Sequence, residues 1–226
     1  MKQITNILSK IQRGLAMVTF KSSENYWVER YKRGGNSGYG SYGQLAQYKA
    51  DILNEFAEKN FISTVIEYGC GDGNQLTLAK YPHYIGFDIS PDAIVQCKKI
   101  FDNDSTKAFY LMNEYDGQKA DLTLSLDVIY HLVEDDVFEN YIRLLFDSSQ
   151  KYVILYSSNV DANRFSSPHV RHRKFTLWIE ANLLGWDLIK HIQNPYTDDR
   201  NTKEHSNADF FIYQKSRDLD FLRSLK

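Results

Sequence analysis

Three glycines at every second position, Gly69, Gly71 and Gly73, follow the β-branched run Thr64-Val65-Ile66, and a carboxylate, Glu67, stands two positions before the first of them. The stretch reads as a strand, a tight turn and a helix start. Glycine has no Cβ and tolerates positive φ, so a ligand can approach the backbone closely at such a turn. The N–H groups of the helix start then face whatever is bound. Nineteen residues after Gly69 comes Asp88, followed by Ile89, at the end of a second strand-like run, His83-Tyr84-Ile85-Gly86-Phe87. In a doubly wound α/β sheet this spacing lets a carboxylate reach the hydroxyls of a ribose. Together the two features predict a site for a nucleoside-type cofactor. The glycines run G-x-G-x-G, not the G-x-G-x-x-G of dinucleotide binding, and Glu67 would repel a pyrophosphate while suiting a cation.

These residues resemble the first two motifs of the class I S-adenosylmethionine-dependent methyltransferases, E/D-x-G-x-G-x-G and then a strand ending in an acid. Ala120-Asp121-Leu122-Thr123-Leu124-Ser125-Leu126-Asp127-Val128-Ile129-Tyr130-His131-Leu132 looks like the fourth strand of that family. The resemblance covers roughly residues 60–215 and implies S-adenosyl-L-methionine as cofactor. Within it, the chain is similar to small bacterial methyltransferases of surface-polysaccharide (capsule) biosynthesis. The likeness is carried by S-L-D-V-I-Y-H-L, by H-V-R-H-R-K-F-T from His169, and by the closing A-D-F-F-I-Y-Q-K. That implies O-methylation of a sugar or of a phosphorylated or nucleotide-linked precursor. A small-molecule N-methyltransferase and a non-catalytic nucleoside-cofactor-binding protein are the rival readings.

The resemblance implies roles for single residues. Glu67 orients the methionine amine, Asp88 holds the ribose, and Asp127 lies near the sulfonium and the acceptor. One of Asn113, Glu114, Tyr115 and Asp116 meets the adenine edge, Asn113 being the first candidate. Methyl transfer is an in-line displacement that needs alignment above all. A hydroxyl acceptor must also lose a proton, and histidine suits that task near neutral pH. His131 is therefore the first candidate base, and His169 and His172 are the next. Pro168-His169-Val170-Arg171-His172-Arg173-Lys174 puts five titratable or basic side chains in six residues at a helix start. Cations belong at helix C-termini, so their clustering asks for an anionic acceptor bound by Arg171 and Arg173, or for a partner acid such as Asp198 or Asp199. A metal site from Asp127, His131, Asp161 and His169 lacks compact ligand spacing.

Alternating strands and helices position these groups, predicting a doubly wound, seven-stranded, mostly parallel α/β sheet of Rossmann-like methyltransferase type. Strands are expected at 64–69, 83–89, 107–112, 121–127, 152–158, 186–192 and 210–215, the last of them antiparallel by the resemblance. Helices are expected at 44–59, 74–80, 91–102, 134–147 and 174–184. Residues 2–18 place Ile4, Ile7, Leu8, Ile11, Leu15 and Val18 on one helical face, to pack on the domain or on a second copy in a homodimer. Residues 26–43 carry five glycines and five aromatics, Tyr39 among them, and read as an irregular lid over the ligands. The expected organisation is thus an N-terminal helix and lid over 1–43 and a cofactor-binding domain over 44–226.

A net charge of −2 and an ordinary charged fraction of 25% give no footprint for nucleic acid or an anionic membrane. No N/D-P-P-Y/F motif is present to stack a flipped base. Cys70 and Cys97 are too few for a disulfide framework, which points to a reducing cytoplasm. No apolar run approaches a membrane span. The expected partner is a small-molecule acceptor. On this reading Asp88→Ala weakens cofactor binding far more than Asp116→Ala, measured by calorimetric titration with S-adenosylhomocysteine; equal losses would refute the placement of the ribose.

Overall fold

In a computed structural model, the described residues are 20–163, 167–197 and 206–216. Seven strands form one sheet: β1 Thr64–Tyr68, β2 His83–Asp88, β3 Lys107–Leu111, β4 Ala120–Leu126, β5 Ser149–Ser157, β6 Trp186–Ile192 and β7 Asp209–Lys215. Their order is β3-β2-β1-β4-β5-β7-β6. β1 to β5 pair in parallel, and β7 runs antiparallel between β5 and β6. The expected class and the antiparallel last strand are both present.

Period-two alternation divides the strands between two cores. Val65, Leu122, Leu124, Ile154 and Tyr156 face one side, where helices α2 (Gly43–Lys59) and α3 (Pro91–Ile100) supply Leu53, Ala57, Ile94 and Cys97. Ile66, Tyr68, Val153 and Leu155 face the other, packed by Phe138, Ile142 and Phe146 of α4 (Asp135–Asp147) and by Phe175 and Ile179 of α5 (Phe175–Asn182). Burial on both faces explains why β4 is buried at every position. After β1 the chain winds to β2 and β3 on one side, and β4 and β5 lie on the other. The switch in strand order therefore falls between β1 and β4, where open α/β sheets leave a crevice at their carboxyl ends.

Two expected elements differ. The run after the glycines forms only a 3₁₀ turn, Gln75–Leu78, and the chain is already extended at Ala79. The segment 26–43, expected to be irregular, begins inside a regular helix, α1 (Ser23–Lys32). Ser22 caps it by accepting from Asn25 N at 3.0 Å. Its aromatics Tyr26, Trp27 and Tyr31 precede the glycines, which begin only at Gly34 and carry the positive φ angles at Gly34, Gly38 and Gly43. Pooling both halves into one composition hid the helix. The stretch 2–18 lies outside the described residues.

α1 is pinned to the turn before α4. Ser23 donates through its N–H (3.0 Å) and hydroxyl (2.5 Å) to the Glu134 carboxylate, while Ser23 Oγ accepts from Val133 N at 2.9 Å. Burial opposes the Glu134 charge, but the two bonds from Ser23 outweigh it and lower the carboxyl pKa. Ser23→Ala strands the Val133 N–H and one carboxylate oxygen, so it should lower unfolding free energy by about 1–3 kcal/mol in urea; an unchanged midpoint would show that α1 docks through its aromatics instead.

Candidate active site

A cavity of about 530 Å³ sits at the carboxyl ends of β1, β2 and β4. Glu67, Gly69, Gly71, Asp88, Ile89, Asp127 and His131 line it, so most of the predicted cofactor residues come together there, with His131 beside them. Gly69 takes φ +83°, and a Cβ on it would lie 2.5 Å from Val128 Cγ2. Gly71 takes φ +60°, and a Cβ there would lie 2.9 Å from Tyr31 Oη, with Ser37 Oγ closer still. Only glycine fits either position.

Each carboxylate is held differently. Asp88 is buried; its Oδ2 accepts from Gly71 N and its Oδ1 from Ser90 N, both at 2.9 Å. Burial lifts its pKa to about 6 against the pull of those N–H groups. Ser90 caps α3 with its own hydroxyl, accepting from Ala93 N at 3.3 Å, which leaves Asp88 free to tie the second strand to the glycine loop. Glu67 is also buried and accepts from Tyr84 Oη at 2.7 Å. Burial pushes its pKa to about 7, with that hydroxyl and the charge of Lys49 opposing. Asp127 follows β4 with φ +60°, a strained conformation for a residue bearing a Cβ. It is held by Lys49 Nζ at 2.7 Å and Tyr130 Oη at 2.9 Å.

His131 Nδ1 lies 3.0 Å from the His169 carbonyl oxygen. A carbonyl can only accept, so Nδ1 carries the proton and Nε2 keeps its lone pair. Burial lowers the pKa of His131 to about 4, which keeps the ring neutral at physiological pH. Trp27 packs edge-on against the ring at 4.8 Å and the His169 ring stacks at 5.6 Å.

The other candidates are placed elsewhere. The His169 ring stacks on Tyr26 at 4.0 Å and faces a second hollow, lined also by Lys21, Arg30 and Arg33. His172 Nδ1 pairs with Ser158 Oγ at 2.6 Å. Arg171 bonds Asp135 and the Val133 carbonyl, both at 2.9 Å. Arg173 spans the carbonyls of Leu132 (2.6 Å) and Val133 (2.8 Å) and reaches Asp135 at 3.0 Å. Neither arginine lines the cavity, and their partner acid is Asp135; Asp198 and Asp199 lie outside the described residues. The cations sit at a helix start because they clamp the turn leading into α4. Tyr39 is exposed on the surface, and Asn113 stands off the lining, which Met112 reaches instead. His191 pairs with Asp209 at 2.8 Å on the surface. Among the described residues no three His, Cys, Asp or Glu side chains converge to hold a metal ion.

Several lining residues were not singled out from the sequence. Tyr31 and Ser37 cover the glycine loop, joined at 2.8 Å. Asp72 fastens that cover by accepting from Ser37 N (2.9 Å) and Tyr42 Oη (2.7 Å). Lys49 is fully buried yet faces the cavity. It lies four residues after Leu45 and four before Leu53, on the apolar stripe of α2. A charge on that stripe was the signal that could have found it.

Of the six acidic residues lining the cavity, Glu67, Asp88 and Asp127 stand with the Lys49 ammonium against glycine backbone, a set suited to a cationic, zwitterionic nucleoside ligand. Comparison with known proteins agrees. A family model described as a methyltransferase domain matches residues 41–207. No curated protein matches the sequence significantly. Magnesium protoporphyrin IX methyltransferase from Synechocystis PCC 6803, solved with S-adenosylhomocysteine, is 14% identical at a TM-score of 0.63, covering 85% of this chain and 98% of that one. The N-methyltransferase NodS from Bradyrhizobium japonicum WM9, also with S-adenosylhomocysteine, is 12% identical at a TM-score of 0.63, over 86% and 99%. The methyltransferase domain of a bacterial CtHen1-C is 18% identical at a TM-score of 0.61, over 76% and 100%. At these identities the likeness is one of fold. The family model spans well over half of the sequence, and the chain belongs to this methyltransferase-domain family.

Proposed function

We propose that this methyltransferase uses S-adenosylmethionine to methylate a hydroxyl group, with His131 as the base. When bound, the cofactor supplies an electrophilic methyl on a sulfonium. Asp88, Glu67 and the backbone at Gly69 and Gly71 would hold its ribose and methionine ends, and Ile89 and Met112 would pack its base. The carrying observation is the placement of His131, which stands on the cavity wall and is fixed through Nδ1 by the His169 carbonyl. Burial lowers its pKa to about 4 and so weakens it as a base, which makes its substitution the decisive test. A histidine so held can take a proton from a hydroxyl at Nε2 without first losing one. The resemblance to surface-polysaccharide methyltransferases supports a sugar or a phosphorylated or nucleotide-linked precursor as acceptor. The free, buried thiols of Cys70 and Cys97 support action in the cytoplasm. Comparing free sugars with sugar phosphates and nucleotide sugars as acceptors of labelled methyl tests both the acceptor class and its anionic part.

A second reading has its own observation. Glu24 and Asp136 line the cavity, and neither forms a salt bridge among the described residues, which suits a cationic amine acceptor. Amine methylation needs no histidine base.

His131→Gln separates the two. For a hydroxyl acceptor kcat should fall about 100-fold or more while S-adenosylhomocysteine affinity is kept; an unchanged kcat would refute the base. Affinity for S-adenosylhomocysteine should also depend on pH. Glu67 and Asp88 have pKa values raised to about 7 and about 6, so as pH falls protons compete with the ligand's ammonium at Glu67 and with its ribose hydroxyls at Asp88. Binding should strengthen by at least about tenfold from pH 5.5 to pH 8, read by calorimetry. A flat profile would place the ligand away from both carboxylates.

A further inference from the structure

Helix α1 divides charge between its sides. Glu24, Trp27 and Tyr31 line the cavity, while Tyr26, Arg30 and Arg33 line a second hollow of about 480 Å³, together with Lys21 and His169. Three permanent cations border that hollow with the one carboxylate of Glu29, a surplus of two positive charges in a chain of net charge −2. Glu29 is already taken by Arg33 at 3.1 Å and Lys32 at 3.7 Å. Neither Lys21 nor Arg30 forms a salt bridge among the described residues. Arg30 is half-buried, donates to the Asn36 carbonyl at 2.6 Å and lies 5.5 Å over the Trp27 ring. A helix C-terminus attracts cations, which accounts for Arg30 and Arg33. It does not account for Lys21, which precedes the N-cap Ser22, or for His169, which comes from a separate loop. Burial first, and the Arg30 charge second, lower the pKa of His169. Like charges gathered on one concave space repel, and a bound anion would offset that cost. Guanidinium forks and an ammonium are the donors that phosphate oxygens take, and a dianion matches the surplus.

We propose that this hollow binds a phosphate group, held by Lys21 and Arg30 with Arg33 at its rim. It supplies the anion site that Arg171 and Arg173, committed to Asp135, do not. The His169 ring ties it to the candidate base. That ring stacks on Tyr26 at 4.0 Å and stands nearly parallel to the His131 ring at 5.6 Å, and the His169 carbonyl fixes His131. The phosphate is either part of the acceptor, which rests on the hydroxyl reading above, or free phosphate; the chemistry that binds it is the same.

The test titrates inorganic phosphate and glucose 1-phosphate into the full chain at constant ionic strength, with chloride as the control anion. Histidine ring signals are followed by NMR at about pH 7.5, where phosphate is mostly dianionic, and His169→Gln assigns the His169 signal. That signal should shift saturably with both phosphates, at an apparent Kd of about 1 mM or tighter, and not with chloride. Its pKa should rise on binding, because a neighbouring dianion favours the imidazolium. Lys21→Gln/Arg30→Gln should weaken phosphate binding at least about tenfold, the worth of one charge-assisted hydrogen bond. Lys21→Gln alone removes only an exposed side chain and should give part of that loss, which keeps the test sound if losing the Arg30–Asn36 bond disturbs the fold nearby. A shift no larger than chloride's, or an affinity unchanged in both variants, overturns the site. Kinetics then names the source. With a phosphorylated acceptor the double variant should raise KM about tenfold and keep kcat; an unmoved KM assigns the hollow to free phosphate. The titration needs neither cofactor nor turnover, so an enzyme found to methylate amines refutes the hydroxyl reading and leaves the phosphate site standing.

Discussion

The withdrawal of three strand-end carboxylates from water at one cavity is the constraint on which the rest of the structure depends. Glu67, Asp88 and Asp127 each end or follow one of three neighbouring strands of the sheet, β1, β2 and β4, so the strand order fixes their approach. Charges withdrawn from water cost several kcal/mol each unless they are paired or hydrogen-bonded. The fold answers with a different device for each: backbone N–H groups at Asp88, a tyrosine hydroxyl at Glu67, and an ammonium with a second tyrosine at Asp127. Glu67 and Asp88 are nonetheless left with raised pKa values. Buried carboxylates with raised pKa values of this kind cluster at functional sites.

The same constraint explains the cover. Helix α1 and the glycine-rich residues after it pack across the open side of the loop, with Tyr31 and Ser37 where a side chain on Gly71 would otherwise stand. Two acidic side chains fasten this cover at its ends, Glu134 at Ser23 and Asp72 at Ser37 and Tyr42. Closing the cavity lowers its effective dielectric and strengthens every charge interaction inside it. Trp27 of the cover also packs against His131, so cofactor pocket and candidate base are shaped by one segment.

The arginines of the loop before α5 show how a charge cluster can be misread. Their placement at a helix start argued for an anion, and an anion is present. It is Asp135, with the carbonyls of Leu132 and Val133 beside it. Their effect on the site is indirect. They fix the turn that carries His131 and so hold the imidazole against the His169 carbonyl.

Wherever function rests on local backbone geometry, the sequence determined it. The spacing of Gly69, Gly71 and Gly73 after a β-branched strand, and of Asp88 at the end of the next one, dictated a turn and a carboxylate. Period-two and period-3.6 patterns then placed the strands and most helices, because those repeats are properties of the chain itself. The tertiary structure decided everything that depends on which surfaces meet. Lys49 is hydrophilic by type, and only the packing of α2 over the end of β4 buries it against Asp127. His131, His169 and His172 are equal as letters; position relative to the cavity separates them. Tyr31, Ser37 and Glu134 become site residues only because a segment 35 to 111 positions away folds back over the sheet. No local pattern encodes such long-range contacts, since burial and partner are set by the assembled fold and not by neighbours in the chain.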